Sequence, residues 1–225
     1  MNEADRRSQL EAAEARGMAL FDAVERAGFV QAGRSESAVD RDIFELARRE
    51  FGVERHWHKR LVRTGLNTIC VYSDDPPERV IAANDTVYLD FGPVFGEWQA
   101  DIGRSYAVGN DPQKQRLVAD LPLLFDRVQA AYRASPDMTG AALYAIAQQE
   151  ARNAGWHFGG AIAGHTILGD YSAPAIAREP RNYIAPGNDE AMTLSDRLGR
   201  PRHWILEIHL VDRDRTFGGF YERLL

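Results

Sequence analysis

The chain has 225 residues, 44% hydrophobic and 27% charged, which excludes a disordered or fibrous protein and leaves enough length to bury a sizeable core. Its 27 basic and 33 acidic residues give a formal charge of -6, and no Lys/Arg cluster forms a stripe able to follow a phosphate backbone, so nucleic acid is not an expected partner. The single cysteine, Cys70, excludes an internal disulfide and a cysteine-based zinc site and points to a reducing compartment, the cytoplasm. The first seventeen residues are charged throughout and the longest wholly apolar run is only 141–147, so neither a signal peptide nor a membrane helix is expected.

Leu10, Ala13, Gly17, Leu20, Val24 and Ala27 recur every three or four residues and predict an amphipathic helix ending near Gly28. A second helix is predicted behind a capping box of Ser37 and Asp40, with Val39, Ile43, Leu46 and Ala47 on one face up to Phe51-Gly52. From about 60 to 108 the period drops to two, and Asn67, the Asp74 to Pro77 stretch and Gly92-Pro93 separate short strands. Asp111-Pro112 then opens a third helix striped by Leu117, Leu121, Leu124, Val128 and Ala131, with a kink expected at Pro122. Thr139 caps a fourth, in which Leu143, Ile146, Ala147 and Ala151 face inward before Gly155. From Trp156 onward the chain is glycine-rich and strand-like.

Helix, helix, strands thus occurs twice, the two helix pairs lying about a hundred residues apart, which predicts a duplicated half; an α+β chain can also reach this order by chance. No Ser-rich or Pro-rich linker separates the halves, so one domain over residues 1–225 with a shared core is expected.

Acidic residues inside the strands carry the functional argument. In TVYLDFGPVFGEWQADIGRSY, Val87, Leu89 and Phe91 alternate with Tyr88 and Asp90, which places Asp90 within an otherwise apolar strand. If the chain reverses at Phe95-Gly96, positions summing to 191 face each other and Asp90 stands directly opposite Asp101. Carboxylates roughly 5 Å apart repel by about 3 kcal/mol at an effective dielectric near 20. A shared proton or a bound hard or borderline divalent cation would offset that repulsion. The ordinary alternative is a longer loop that leaves both aspartates solvated. In WILEIHLV, Glu207 and His209 share a strand face, and a buried unpaired carboxylate there needs a cation or a hydrogen-bond partner. His165 lies in the small, apolar stretch GGAIAGHTILG, where a satisfied core histidine is the commoner case, and Glu222 lies in the strand-like tail GGFYERLL.

The order of Asp90, Asp101, His165, Glu207 and Glu222 resembles the methionine aminopeptidase, Xaa-Pro peptidase and creatinase superfamily, over nearly the whole chain. The resemblance implies an α+β pita-bread fold with pseudo-twofold halves. It also implies two divalent metal ions, Mn, Fe, Co or Zn, held by Asp90, Asp101, His165, Glu207 and Glu222, with Asp101 and Glu222 bridging. The implied reaction is attack of a metal-bridged hydroxide on the first peptide bond of a short peptide or protein N-terminus, with Glu207 carrying the proton. Such relatives usually place further histidines around the metals, whereas this chain has Ser73, Ala161 and Ser172 at those positions. His209 is the candidate to substitute catalytically, against a plain packing role. Glu207 and Glu222 are also closer in sequence than in most relatives, Ile208 stands where a proline is usual, and the final strand could be truncated.

The leading expectation is therefore a dinuclear aminopeptidase or dipeptidase, closer in architecture to the single-domain aminopeptidases. The alternative is a non-catalytic binding module on the same fold, and metal-independent C–N hydrolysis of the creatinase kind ranks last. Small relatives of the fold are often dimers, so a homodimer is an open expectation with no interface legible in the chain.

Overall fold

A computed structural model describes residues 2–172 and 179–225 of the chain. Among the described residues four α-helices form: α1 (Glu3–Ala27), α2 (Glu36–Phe51), α3 (Pro112–Ala134) and α4 (Gly140–Asn153). Nine strands accompany them: β1 (Leu61–Thr64), β2 (Asp85–Phe91), β3 (Val94–Phe95), β4 (Trp98–Gln99), β5 (Ile102–Val108), β6 (His157–Phe158), β7 (Gly164–Ile167), β8 (His203–Val211) and β9 (Gly218–Leu224). The expected repetition of helix pair and strands is present, and β9 is a full partner of β8, from Ile205 opposite Leu224 to Val211 opposite Gly218. Among the described residues no helix is long and apolar enough to cross a membrane, and Cys70 is a free thiol.

Local chemistry explains the boundaries. α1 begins seven residues before Leu10, because Asn2 and Asp5 form a capping box that apolar spacing does not reveal; it ends at Gly28, which takes a left-handed φ of 65°. α2 is capped by Ser35, not by Ser37 as the spacing suggested: the Ser35 hydroxyl accepts from Ala38 N, while Ser37 lies inside the first turn. Asp111 and Thr139 cap α3 and α4 as expected, and Pro122, where a kink was expected, lies inside the single helix α3.

Seven strands make one antiparallel sheet in the order β1-β2-β5-β9-β8-β6, with β7 also paired to β8. Alternation divides its two faces. Val87, Leu89, Phe91 and Ile102 join Leu20, Phe21, Val24, Ile43 and Ala47 in one core under α1 and α2. Trp204, Leu206, Ile208 and Leu210 join Leu117, Leu121, Leu124, Leu143 and Ala147 in a second core under α3 and α4. The residues between these, Asp90, Gly103, Glu222 and Glu207, therefore point away from both helix pairs.

The β2–β5 hairpin corrects one expectation. Its tight turn is Gly96-Glu97, with Phe95 opposite Trp98, and Asp90 is opposite Gly103 rather than Asp101. Moving the turn by one residue changes each pairing sum by two, so Asp101 stays on the same face, one pleat from Gly103.

A buried centre of carboxylates and imidazoles

Registers across the middle of the sheet build the floor of the site. Asp90 on β2 faces Gly103 on β5, Gly103 faces Glu222 on β9, and Glu222 faces Glu207 on β8, so one row across four strands carries three carboxylates. Asp101, immediately before β5, is the fourth. His165 on β7 is opposite Ile205, two residues from Glu207 on the same face. Gly103 is the only position in the row without a side chain, and a Cβ there would lie 2.9 Å from Glu222 Cβ and 2.7 Å from the Phe220 ring.

The five expected metal-binding residues come together. Asp101 Oδ2 lies 3.3 Å from His165 Nε2, which is 3.7 Å from Glu207 Oε1. Donor atoms of Asp101, His165 and Glu222 all lie within 4.8 Å of one another. Asp101 and Glu222 are 3% exposed, and Glu222 Oε2 is buried with no hydrogen-bond partner.

Sequence reasoning missed His58. Its Nε2 is 3.0 Å from Asp101 Oδ1 and 3.7 Å from Asp90 Oδ1, so Asp101 offers one oxygen to each of two imidazoles. His58 lies in an irregular segment with no periodicity, held by Trp57 N donating to Gly92 O, Trp57 Nε1 donating to Ala100 O and Val94 N donating to Arg55 O. The legible signal was the HWH triplet, together with a glycine directly after the aspartate strand: a Cβ on Gly92 would lie 2.2 Å from His58 Cδ2. Positions 73, 161 and 172, where an imidazole was sought, are all exposed.

His209 shares the face of Glu207, as alternation required, but its Nε2 is 2.9 Å from Thr68 O and its ring packs edge-on against Tyr88 and Phe220. Burial holds it below the ordinary histidine range, so at neutral pH it is an uncharged ring donating to a carbonyl.

The electrostatics ask for positive charge. Burial, followed by the charge of Asp101, pushes Asp90 up to about 7 despite His58. Burial, followed by the opposing pull of His165 and the repulsion of Asp101, leaves Glu207 also at about 7. Burial and the charges of Asp101, Asp90 and Glu207 push Glu222 well above the usual carboxylate range. Asp101 is the exception: burial works against its charge, but His58 and His165 hold it below its usual value. Burial likewise disfavours the charged forms of these two histidines, yet their pairing with Asp101 raises both to about 9. Positive charge is thus favoured at the two positions that face this carboxylate cluster. Hard oxygen donors with imidazole nitrogens, with Asp101 Oδ2 and Glu222 Oε2 both buried without a hydrogen-bond partner, fit divalent metal ions.

Known proteins share this fold. The chain adopts the fold of an X-Pro aminopeptidase from Thermotoga maritima MSB8, with a TM-score of 0.73 and 19% identity over 98% of this chain and 58% of that one. A prolidase from Thermococcus sibiricus matches with a TM-score of 0.71 and 19% identity over 99% of this chain and 56% of that one. A methionine aminopeptidase from Rickettsia prowazekii matches with a TM-score of 0.70 and 13% identity over 100% of this chain and 94% of that one. The chain therefore spans little more than half of the prolidase and X-Pro aminopeptidase chains. Among curated protein sequences none matches. The profile of metallopeptidase family M24 matches residues 8–195, and with this pita-bread sheet and its row of inward carboxylates the chain belongs to that family.

Proposed function

We propose that residues 1–225 form one catalytic unit, a dinuclear metal-dependent hydrolase that cleaves the first peptide bond of a short peptide or protein N-terminus. One observation carries the reading: four carboxylates and two imidazoles converge on a single buried face, and Glu222 Oε2 there has no hydrogen-bond partner. Asp90 and Asp101 would hold one ion, and His165, Glu207, Asp101 and Glu222 the other, with Asp101 and Glu222 shared. Bound there, divalent ions supply an acidified water and polarise a peptide carbonyl.

The chain's own groups account for the remaining steps. Glu207 combines a position at the edge of the cluster with a proton affinity close to neutrality, which suits a carboxylate that accepts a proton at Oε1 and returns it to the departing amine. His209 is assigned a positioning role: by donating to Thr68 O it fixes the inner face of β8 on which Glu207 stands. Phe220, Tyr88 and Leu61 form an apolar cluster beside the carboxylates and limit water access on that side.

The exposed, non-imidazole positions 73, 161 and 172 favour a second reading, a binding module that has lost turnover. A dipeptide and tripeptide screen with added Mn or Co separates the two. Turnover abolished by Glu207→Gln supports the hydrolase. Metal content near zero in protein purified without chelator, unchanged by Asp101→Ala, overturns it.

A further inference from the structure

We propose that His58 is a metal ligand, so that each half of the fold contributes two carboxylates and one imidazole to a near-symmetric pair of sites. This rests on the metal reading above. From the first half come Asp90, Asp101 and His58, and from the second Glu207, Glu222 and His165.

Three observations place His58 as a ligand and not merely as a charge beside Asp101. Its Nε2 and one oxygen each of Asp90 and Asp101 all lie within 4.8 Å of one another, as do donor atoms of Asp101, His165 and Glu222. The ring is also oriented as ligating imidazoles are: His58 Nδ1 is 2.8 Å from Lys59 O, so in the neutral ring Nδ1 carries the hydrogen and Nε2 the free lone pair. His165 repeats the device, with Nδ1 at 3.1 Å from the carbonyl of its own next residue, Thr166. Finally, the position is built: Trp57 is tied to Gly92 and Ala100, Gly92 leaves space for the ring, and the Trp57 indole lies edge-on to both His58 and His165.

The consequence is one of metal preference. Without His58 the Asp90–Asp101 position would be all oxygen, which suits Mg and Mn; an imidazole moves it toward Co and Zn. Equilibrium dialysis and visible absorption of the chelator-stripped protein titrated with Co²⁺ test this. Wild type is expected to bind two equivalents. His58→Ala is expected to weaken one of them at least about 10–100-fold, since disturbing even an outer partner of a ligand costs that much, with a smaller change for Mn²⁺. His157→Ala, at an exposed histidine, should bind as wild type. Two equivalents bound by His58→Ala within threefold of wild type would overturn the assignment while leaving the metal reading intact. No Co²⁺ bound by wild type would overturn both. Proton NMR of the Co²⁺-loaded wild type gives the same answer without a variant: two exchangeable, hyperfine-shifted imidazole N–H signals are expected, and a single one refutes a ligating His58.

Discussion

Gly103→Ala puts the geometry of the carboxylate row at risk with a single methyl group. Strand glycines are ordinarily a weakness, and alanine should gain about 0.5–1 kcal/mol from lower chain entropy wherever space allows. Here the new Cβ would lie 2.7 Å from two carbons of the Phe220 ring and 2.9 Å from Glu222 Cβ. The ring can tilt away, but Glu222 Cβ is fixed by the β9 backbone, opposite Gly103 and Glu207. Overpacking a tight site costs about 1–3 kcal/mol, which outweighs the entropic gain over most of that range and leaves a net loss of up to about 2.5 kcal/mol. For a chain of this size each kcal/mol moves the melting temperature by about 2–4 °C, so a fall of a few degrees is expected in calorimetry. Displacement of Glu222 should also weaken Co²⁺ binding in the dialysis assay. A variant that melts at or above the wild-type temperature and binds Co²⁺ unchanged would show that Gly103 is not what keeps the row open.

Glu222→Gln should raise the melting temperature of the chelated protein at neutral pH while abolishing one metal equivalent, because a buried carboxyl with a raised folded-state pKa destabilises the fold once it ionises in the unfolded chain. That gap should close as pH falls to the ordinary carboxylate range, where both states are protonated; a gap independent of pH would refute the electrostatic account. Asp212 is 2% exposed in the turn joining β8 and β9 and accepts from Asp214 N, Thr216 N, Thr216 Oγ1 and Phe217 N. Burial opposes its charge, but those bonds hold its pKa below the usual value. Asp212→Asn should cost about 1.5–3 kcal/mol in urea unfolding near neutral pH. The loss should vanish as pH falls through the depressed folded-state value. Ser35→Ala should cost about 1 kcal/mol and Ser37→Ala far less; equal losses would contradict Ser35 as the cap of α2.

The five expected ligands were legible because each stands where strand alternation or small-residue packing makes a polar group conspicuous, and their chain order carried the resemblance. Faces were easier to read than registers: one residue of uncertainty in the turn moved the partner of Asp90 from Asp101 to Gly103 without altering which side either aspartate faces. His58 escaped because no period runs through residues 55–60, and its place is decided by long-range bonds from Trp57 to Gly92 and Ala100. His209 shows the converse, since alternation put it on the right face but only the fold reveals that Thr68 O occupies its Nε2. The caps at Asn2 and Ser35 depend on which of several polar residues turns its oxygen toward a free backbone N–H, a choice composition leaves open.

The seam between the halves has a mechanical consequence. β5 and β9 meet through Gly103 opposite Glu222, and a side chain stitches the next step: Phe220 N donates to Ser105 Oγ at 2.7 Å, and the same hydroxyl donates to Phe220 O at 2.8 Å. Cations shared by Asp101 and Glu222 would rivet two separately packed cores at this joint. Loading should therefore slow amide exchange along β5 and β9 far more than in either helix pair, and the stripped protein should breathe first along that line.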